Sequence, residues 1–154
     1  MKFNTRLFGE VDIAEDKVLS FENGIIGLEN LKKFTLIYDS EKEDAGKIIW
    51  LQSLEEETYA LPVINPRNVM KDYNPVVDDE LLAPLGEFKD EDLMILVTIR
   101  VPENIEDMTA NLRAPIVINA DNRKACQIVA QNEDYMVKQP VYEMLKAAKE
   151  RAGE

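Results

Sequence analysis

The sequence predicts an all-β, mainly antiparallel fold: a small closed or nearly closed β-barrel with short peripheral helices and a C-terminal helix. Three observations carry this expectation. Short β-branched or alternating segments recur along the chain, Gly, Asn and Pro turn signals separate them, and helical periodicity is confined to brief stretches and the far end. A parallel α/β arrangement would need regular alternation of strands with helices, which is absent. At 154 residues, 45% apolar and 31% charged, the chain has enough material to bury a core as one domain over 1–154. Internal repeats and Gly/Ser-rich linkers are missing.

The elements follow in order. Lys2 to Leu7 and Glu10 to Ile13 are strand-like pieces around Gly9, and Val18 to Phe21 is a third. In Phe21 to Leu28 (FENGIIGL), Asn23-Gly24 is a strong turn signal and Gly27 a second permissive backbone point. Leu28 to Lys32 reads as a helical turn, Phe34, Leu36 and Tyr38 as alternate positions of a fourth strand, and Asp39 to Gly46 as a charged loop. Lys47 to Leu54 (KIIWLQSL) is apolar on both faces near Trp50 and is expected in the sheet interior. Thr58 to Ile64 pairs back across the acidic tip Glu55 to Glu57, and Asn65-Pro66 ends that hairpin. Val69 to Val77, with Tyr73 and Pro75, suggests an edge strand. Asp78, Asp79 and Glu80 ahead of Leu81, Leu82 and Leu85, closed by Gly86, describe a short capped helix.

Asp92 to Val101 is the most hydrophobic strand, stopped by Pro102, and belongs in the middle of the sheet. Ile116 to Ile118 follows Pro115 and forms a hairpin with Arg123 to Ala130 across Asn119 to Asn122, the second strand being half buried. Asn132 to Lys138 reads as one more short strand or turn. Pro140 to Arg151 closes the chain as a helix, with Pro140 in its first position and Val141, Met144, Leu145 and Ala148 on the inward face.

Charge narrows the function classes. Thirty acidic residues against 18 basic ones give a net charge of −12. That field repels phosphates, and the lysines and arginines are scattered, so direct RNA or DNA binding is not expected. The GxxG pattern from Gly24 to Gly27 resembles an RNA-clamping loop only superficially, because Glu22 and Glu29 flank it. An acidic surface speeds encounter with a basic protein, although it also simply keeps a protein soluble. No apolar run is long enough to span a bilayer and the N-terminal residues alternate like a strand, so a cytoplasmic protein is expected. One cysteine, Cys126, fits a reducing compartment.

Enzymatic chemistry finds few candidates. There is no histidine, and Cys126 lies mid-strand, where it reads as a small core residue. Phosphate loops, zinc spacings and dinucleotide fingerprints are absent, so neither a cofactor nor a metal is expected. Glu55, Glu56 and Glu57 as a metal site is disfavoured, because neighbouring carboxylates alternate in direction and no further ligand accompanies them.

The segment Thr109 to Asn119 (TANLRAPIVIN), followed by Arg123 to Val129 (RKACQIV), resembles the signature region of the flagellar assembly factor FliW family. The likeness extends through FENGIIGL with Phe34 after it, Leu51 to Leu54 (LQSL) and Pro66, in the family's order and spacing. The resemblance implies a non-enzymatic cytoplasmic regulator. FliW-like proteins bind newly made flagellin and, when flagellin has been exported, bind the RNA-binding translational repressor CsrA and relieve its block on flagellin translation. A dedicated flagellin secretion chaperone without translational control is the competing class. The protein is expected to be a monomer before it binds a partner.

Two sets of residues are candidates for partner contact. The acidic tip Glu55, Glu56 and Glu57 and the acidic start Asp78, Asp79 and Glu80 are expected to contribute to a field facing basic CsrA. Asn111 and Arg113 lie in a loop before a Pro-limited strand, where side chains remain available to a partner. The alternative is structural: Asn111 hydrogen-bonding its own loop, and Arg113 pairing with a surface acid.

Overall fold

Alternation along each strand decides which side chains fill the interior. The computed structural model describes residues 1–38 and 48–152, so the expected charged loop at Asp39 to Gly46 lies outside the described residues. Its strands are β1 (Lys2–Thr5), β2 (Gly9–Asp12), β3 (Leu19–Phe21), β4 (Lys33–Tyr38), β5 (Ile49–Ser53), β6 (Ala60–Ile64), β7 (Leu93–Arg100), β8 (Thr109–Ala110), β9 (Ile116–Asn119), β10 (Lys124–Gln127) and β11 (Gln139–Pro140), and the chain ends in helix α1 (Tyr142–Ala152). β7, β6, β5, β4, β3, β10 and β9 are hydrogen-bonded in that order, and β9 returns to β7, which closes the barrel. Among the described residues every strand pairing is antiparallel except β3 with β10. β1 and β2 form a separate hairpin, and β8 and β11 extend the sheet from the far end of β7.

Period two sorts the core. Leu19 and Phe21 of β3, Phe34 of β4, Leu51 of β5, Val63 of β6 and Leu96 of β7 point inward, meeting Ile116, Ile118 and Ala125. Phe21 and Phe34 meet edge to face with centroids 5.2 Å apart. A second cluster covers the outer face of β7: Val97 and Ile99 pack with Leu112, Tyr73, Tyr135 and Val141, and Met144 and Leu145 of α1 close it. A third sets Val117, Cys126 and Ile128 against Leu85.

That third cluster corrects the half-buried hairpin: Ala125 faces the barrel interior and Cys126 the outer cluster, so both faces of β10 are covered. The segment after β6 is not an edge strand. It coils through a 3-10 turn at Pro66–Asn68 and buries Tyr73, whose hydroxyl satisfies the carbonyl of Leu112 instead of a neighbouring strand. Asp79–Leu85 is a 3-10 helix with Pro84 inside it, and Asp78 makes no capping bond. Its end is held from outside, where the buried Asn119 Nδ2 donates to the carbonyls of Leu85 and Glu87 and Asn122 Nδ2 donates to Leu85. Pro140 does not start the final helix. Gln139 and Pro140 pair with Ala110 and Thr109, and the Val141 N–H donates to the Met108 carbonyl, so sheet pairing outlasts the proline.

Candidate partner-binding rim

The strand registers gather several loops at one end of the barrel. Phe34 lies opposite both Leu19 and Ser53, Val63 opposite Thr98, and Leu96 opposite Ile116. The β3–β4 loop, the β5–β6 tip, the end of β7, the approach to β9 and the exit from β10 therefore share this rim.

The approach to β9 is a large β-bulge. Ile99 pairs with Ala110 and Leu96 with Ile116, so three steps along β7 answer six along the partner chain. The surplus, Leu112 to Ala114, loops out between the partners of Thr98 and Val97. Asn111 Oδ1 accepts the N–H groups of Arg113 (3.2 Å) and Ala114 (3.0 Å), an Asx turn that holds the loop. The Leu112 N–H donates to the Met136 carbonyl, and its own carbonyl accepts the Tyr73 hydroxyl at 2.7 Å. The carbonyl of Arg113 accepts from the Ala130 N–H (2.7 Å), and that of Ala114 from Gln127 Nε2 (3.0 Å). The bulge spends its polar groups on fold geometry, with Leu112 fully buried as its anchor.

Neighbouring segments are fastened to this bulge. Gln127 Oε1 accepts the Ile26 N–H at 2.9 Å, which ties the β3–β4 loop to β10. That loop requires Gly24: its φ is +68°, and a Cβ there would sit 2.6 Å from the Glu29 Cα. The Gln131 N–H donates to the Val76 carbonyl, and the Val76 N–H donates to Asn132 Oδ1 at 2.7 Å. Tyr73 stacks on Tyr135 with centroids 4.8 Å apart, and the Tyr135 hydroxyl accepts the Asn74 N–H. The surface around this scaffold carries several exposed apolar side chains among the exposed Gln131, Glu133, Asp134 and Lys138. Ile26 (59% exposed), Val76 (51%), Val129 (51%), Met136 (49%) and Val137 (56%) all stand in segments hydrogen-bonded to the bulge or to residues 127–131. Exposed apolar clusters of this kind mark contact surfaces.

The expected site residues divide. Asn111 hydrogen-bonds its own loop, and Arg113 is half-buried and makes no ion pair among the described residues. Asp78 lies beside the bulge, its carboxylate accepting from Gln131 Nε2 at 2.8 Å, whereas the carboxylates of Asp79 and Glu80 are exposed. Glu55 is a fastener: one carboxylate oxygen accepts the backbone N–H groups of Lys32 and Lys33. Glu56 accepts from the Thr58 hydroxyl, and the Glu57 carbonyl accepts the Arg6 N–H. The structure thus joins Asn111, Arg113 and Asp78 in one neighbourhood and leaves Glu55 to Glu57 on the β5–β6 tip of the same rim. Ile26, Val76, Val129, Met136 and Val137 carried no motif. The available signal was Val129, an apolar residue between two positions that the hairpin buries.

Burial pushes the Cys126 thiol up to about 11, and its Sγ lies 3.8 Å from the Leu81 carbonyl. A buried, protonated thiol is a packing group rather than a nucleophile. Among the described residues, no group of three or more metal-ligating side chains is placed to hold an ion. No helix among the described residues is long and apolar enough to cross a membrane.

Barrel and rim define a class, a small β-barrel domain with an apolar loop surface built around a wide bulge. The chain belongs to the FliW family, whose model, described as FliW protein, matches residues 2–141. The flagellar assembly factor FliW of Lachnoclostridium phytofermentans is 46% identical over 155 residues, covering 100% of this chain and 99% of that protein. The corresponding factor of Thermotoga neapolitana is 40% identical over 150 residues, with coverage of 97% and 98%. A crystal structure of a flagellar assembly factor FliW superposes with a TM-score of 0.82 at 31% identity, over 92% of this chain and 97% of that one. The predicted barrel and the family resemblance are both upheld.

Proposed function

We propose that this flagellar assembly factor binds flagellin in the cytoplasm through the apolar rim and, when flagellin is depleted, binds and antagonises the translational repressor CsrA. The observation that carries the reading is the set of exposed side chains Ile26, Val76, Val129, Met136 and Val137 held around the Asn111 bulge. They suit the apolar stripe of an amphipathic helical segment. The acidic residues Glu56, Glu57, Asp79 and Glu80 stand in water, and with the net charge of −12 they supply the field for a basic partner. A switch between partners requires coupling, and whatever factor flagellin removes from CsrA affinity, CsrA removes from flagellin affinity.

Calorimetry of the full chain against flagellin and against CsrA, each in the presence and absence of the other, tests the reading. Binding to both with mutual exclusion is expected. Binding to flagellin alone assigns the protein to the chaperone class, which the apolar rim would serve equally well. Val129→Glu is expected to weaken flagellin binding at least tenfold with an unchanged melting temperature, since about 1.4 kcal/mol is within the contribution of one central apolar contact.

A further inference from the structure

At the end opposite the rim the barrel wall is incomplete between β6 and β7. β6 pairs with β7 only at Val63 with Thr98 and Ile64 with Val97, although β7 reaches back to Leu93. The Ala120 N–H donates to the Asp92 carbonyl and the Asn111 N–H to the Thr98 carbonyl. Even-numbered residues of β7 therefore turn their backbone groups toward β9 and β8, and Leu93, Ile95 and Val97 turn theirs toward β6. Continuing the register would bring Pro66 opposite Ile95. Proline has no N–H to give, and the chain instead coils away there, with Asn65 Oδ1 accepting the Arg67 N–H at 3.0 Å. The Leu93 N–H closes the preceding turn on the Asp90 carbonyl. The Leu93 carbonyl and both backbone groups of Ile95 have no partner among the described residues.

A groove of about 750 Å³ follows this edge. Met94 shares the inward face with Leu96, whereas Ile95 shares the outward face with Val97, and both line the groove. It therefore starts at this strand edge and continues over the outer face, where Val117 and Ile128 also line it. Pro66 and Arg67 border one side and Val77 and Leu82 the other, while Asp90 and Glu91 stand at the end where β7 begins, so the acids of the lining outnumber its one arginine. Both acids are exposed and neither pairs with a lysine or arginine among the described residues.

We propose that the groove takes an extended segment of a partner protein as an added strand, antiparallel to β7 in the place β6 vacates, with a lysine or arginine at its C-terminal end against Asp90 and Glu91. The free backbone groups of Leu93 and Ile95 supply the ladder, and the apolar walls accept alternate side chains. Direction follows from position: a strand continuing the line of β6 runs from Leu96 toward Leu93 and delivers its C-terminal end to the acids. Charge complementarity selects a basic segment and disfavours a second copy, which would bring its own acids and a net charge of −12.

The test is an amide NMR titration of the full chain with the probe acetyl-Val-Thr-Val-Thr-Lys-amide. A saturable shift centred on Ile95, with slowed exchange of its N–H, is expected. Replacing the probe's lysine by glutamate, or making the exposed change Glu91→Lys, should weaken binding up to about fivefold, the upper end of what an exposed ion pair contributes. The proposal is overturned by the absence of a shift at Ile95 up to the probe's solubility limit, or by shifts centred on Val129 and Ile26. It also fails if the Ile95 N–H is already protected in the free protein, which means that this chain closes its own edge. A concentration-dependent shift without probe overturns it as well, by assigning the edge to a second copy.

Discussion

Two loops at the same end of the barrel, Asn111 to Pro115 and Glu55 to Glu57, read alike in sequence as polar, solvent-facing candidates for a partner, yet they fold in opposite senses. In the first, the polar groups turn inward: Asn111 holds its own turn, Leu112 fills the core, and the carbonyls of Arg113 and Ala114 fasten β10. What that loop offers to the outside is the apolar surface of its neighbours. In the second, Glu55 fastens the amides of Lys32 and Lys33 while its side chain stays exposed, and the next two glutamates stand in water beside it. Polarity in a loop thus says little about whether its side chains are available. The decisive quantity is how many backbone donors lack backbone partners nearby, because such amides recruit the closest carboxylate or side-chain amide.

The comparison breaks most visibly at the anchors. Leu112→Ala empties a fully buried position behind the bulge and is expected to cost about 2–5 kcal/mol. Denaturant unfolding checks the loss, and a value below about 1 kcal/mol would mean that the bulge is not clamped from within. Asn111→Ala and Glu55→Ala remove the same kind of acceptor in different settings. Each leaves two backbone N–H groups without their acceptor. Asn111→Ala should cost about 1–2 kcal/mol because its turn is half-buried, and Glu55→Ala less than about 1 kcal/mol because water replaces the carboxylate at the exposed amides. If Asn111→Ala instead abolishes flagellin binding at full stability, the residue contacts the partner and the structural assignment of the bulge fails.

The tyrosine pair supplies a pH-dependent version of the same test. Burial first, and then the neighbouring Tyr135, hold the Tyr73 hydroxyl well above the usual tyrosine range. A group whose folded pKa is raised above its unfolded value of about 10 contributes stability that is complete below pH 10 and is lost as pH rises beyond it. Melting temperatures should therefore fall above pH 10 more steeply in the native chain than in Tyr73→Phe. At neutral pH that variant should be about 1–2 kcal/mol less stable, because the Leu112 carbonyl loses its donor. Parallel alkaline slopes in the two proteins would show that the hydroxyl is not buried against the bulge.

Much of this architecture was legible from local pattern. The strands of the barrel wall, the Asn23-Gly24 turn, the stop at Pro66 and the hydrophobic β7 all follow from period two and turn chemistry, which act over a few residues. The parts that were not legible depend on distant partners. Tyr73 is buried because Leu112, 39 positions away, presents a carbonyl, and the 3-10 helix ends where it does because Asn119 reaches Leu85 across 34 positions. Pro140 satisfies every local rule for a helix start, yet β8 captures it first. The candidate site divided along the same line: acids were visible as composition, but the loss of Glu55 to the Lys32 and Lys33 amides and the exposure of Val129 beside buried neighbours are tertiary facts.

The smallest expected effect lies in the two glutamates that remain outside. Glu56→Lys with Glu57→Lys changes two exposed side chains, one of which accepts only from the exposed Thr58 hydroxyl, so stability should move by no more than about 0.5 kcal/mol. The double reversal should slow association with CsrA and flatten its salt dependence, because rim charges act chiefly on the encounter rate. Adding Glu55→Lys mixes the two effects, since that position also strips two amides of their acceptor. Comparing the double with the triple variant separates field from fastener. If association at low salt is unchanged in the double variant, the tip takes no part in the field, and the sites left for it are Asp79 and Glu80 beside the bulge.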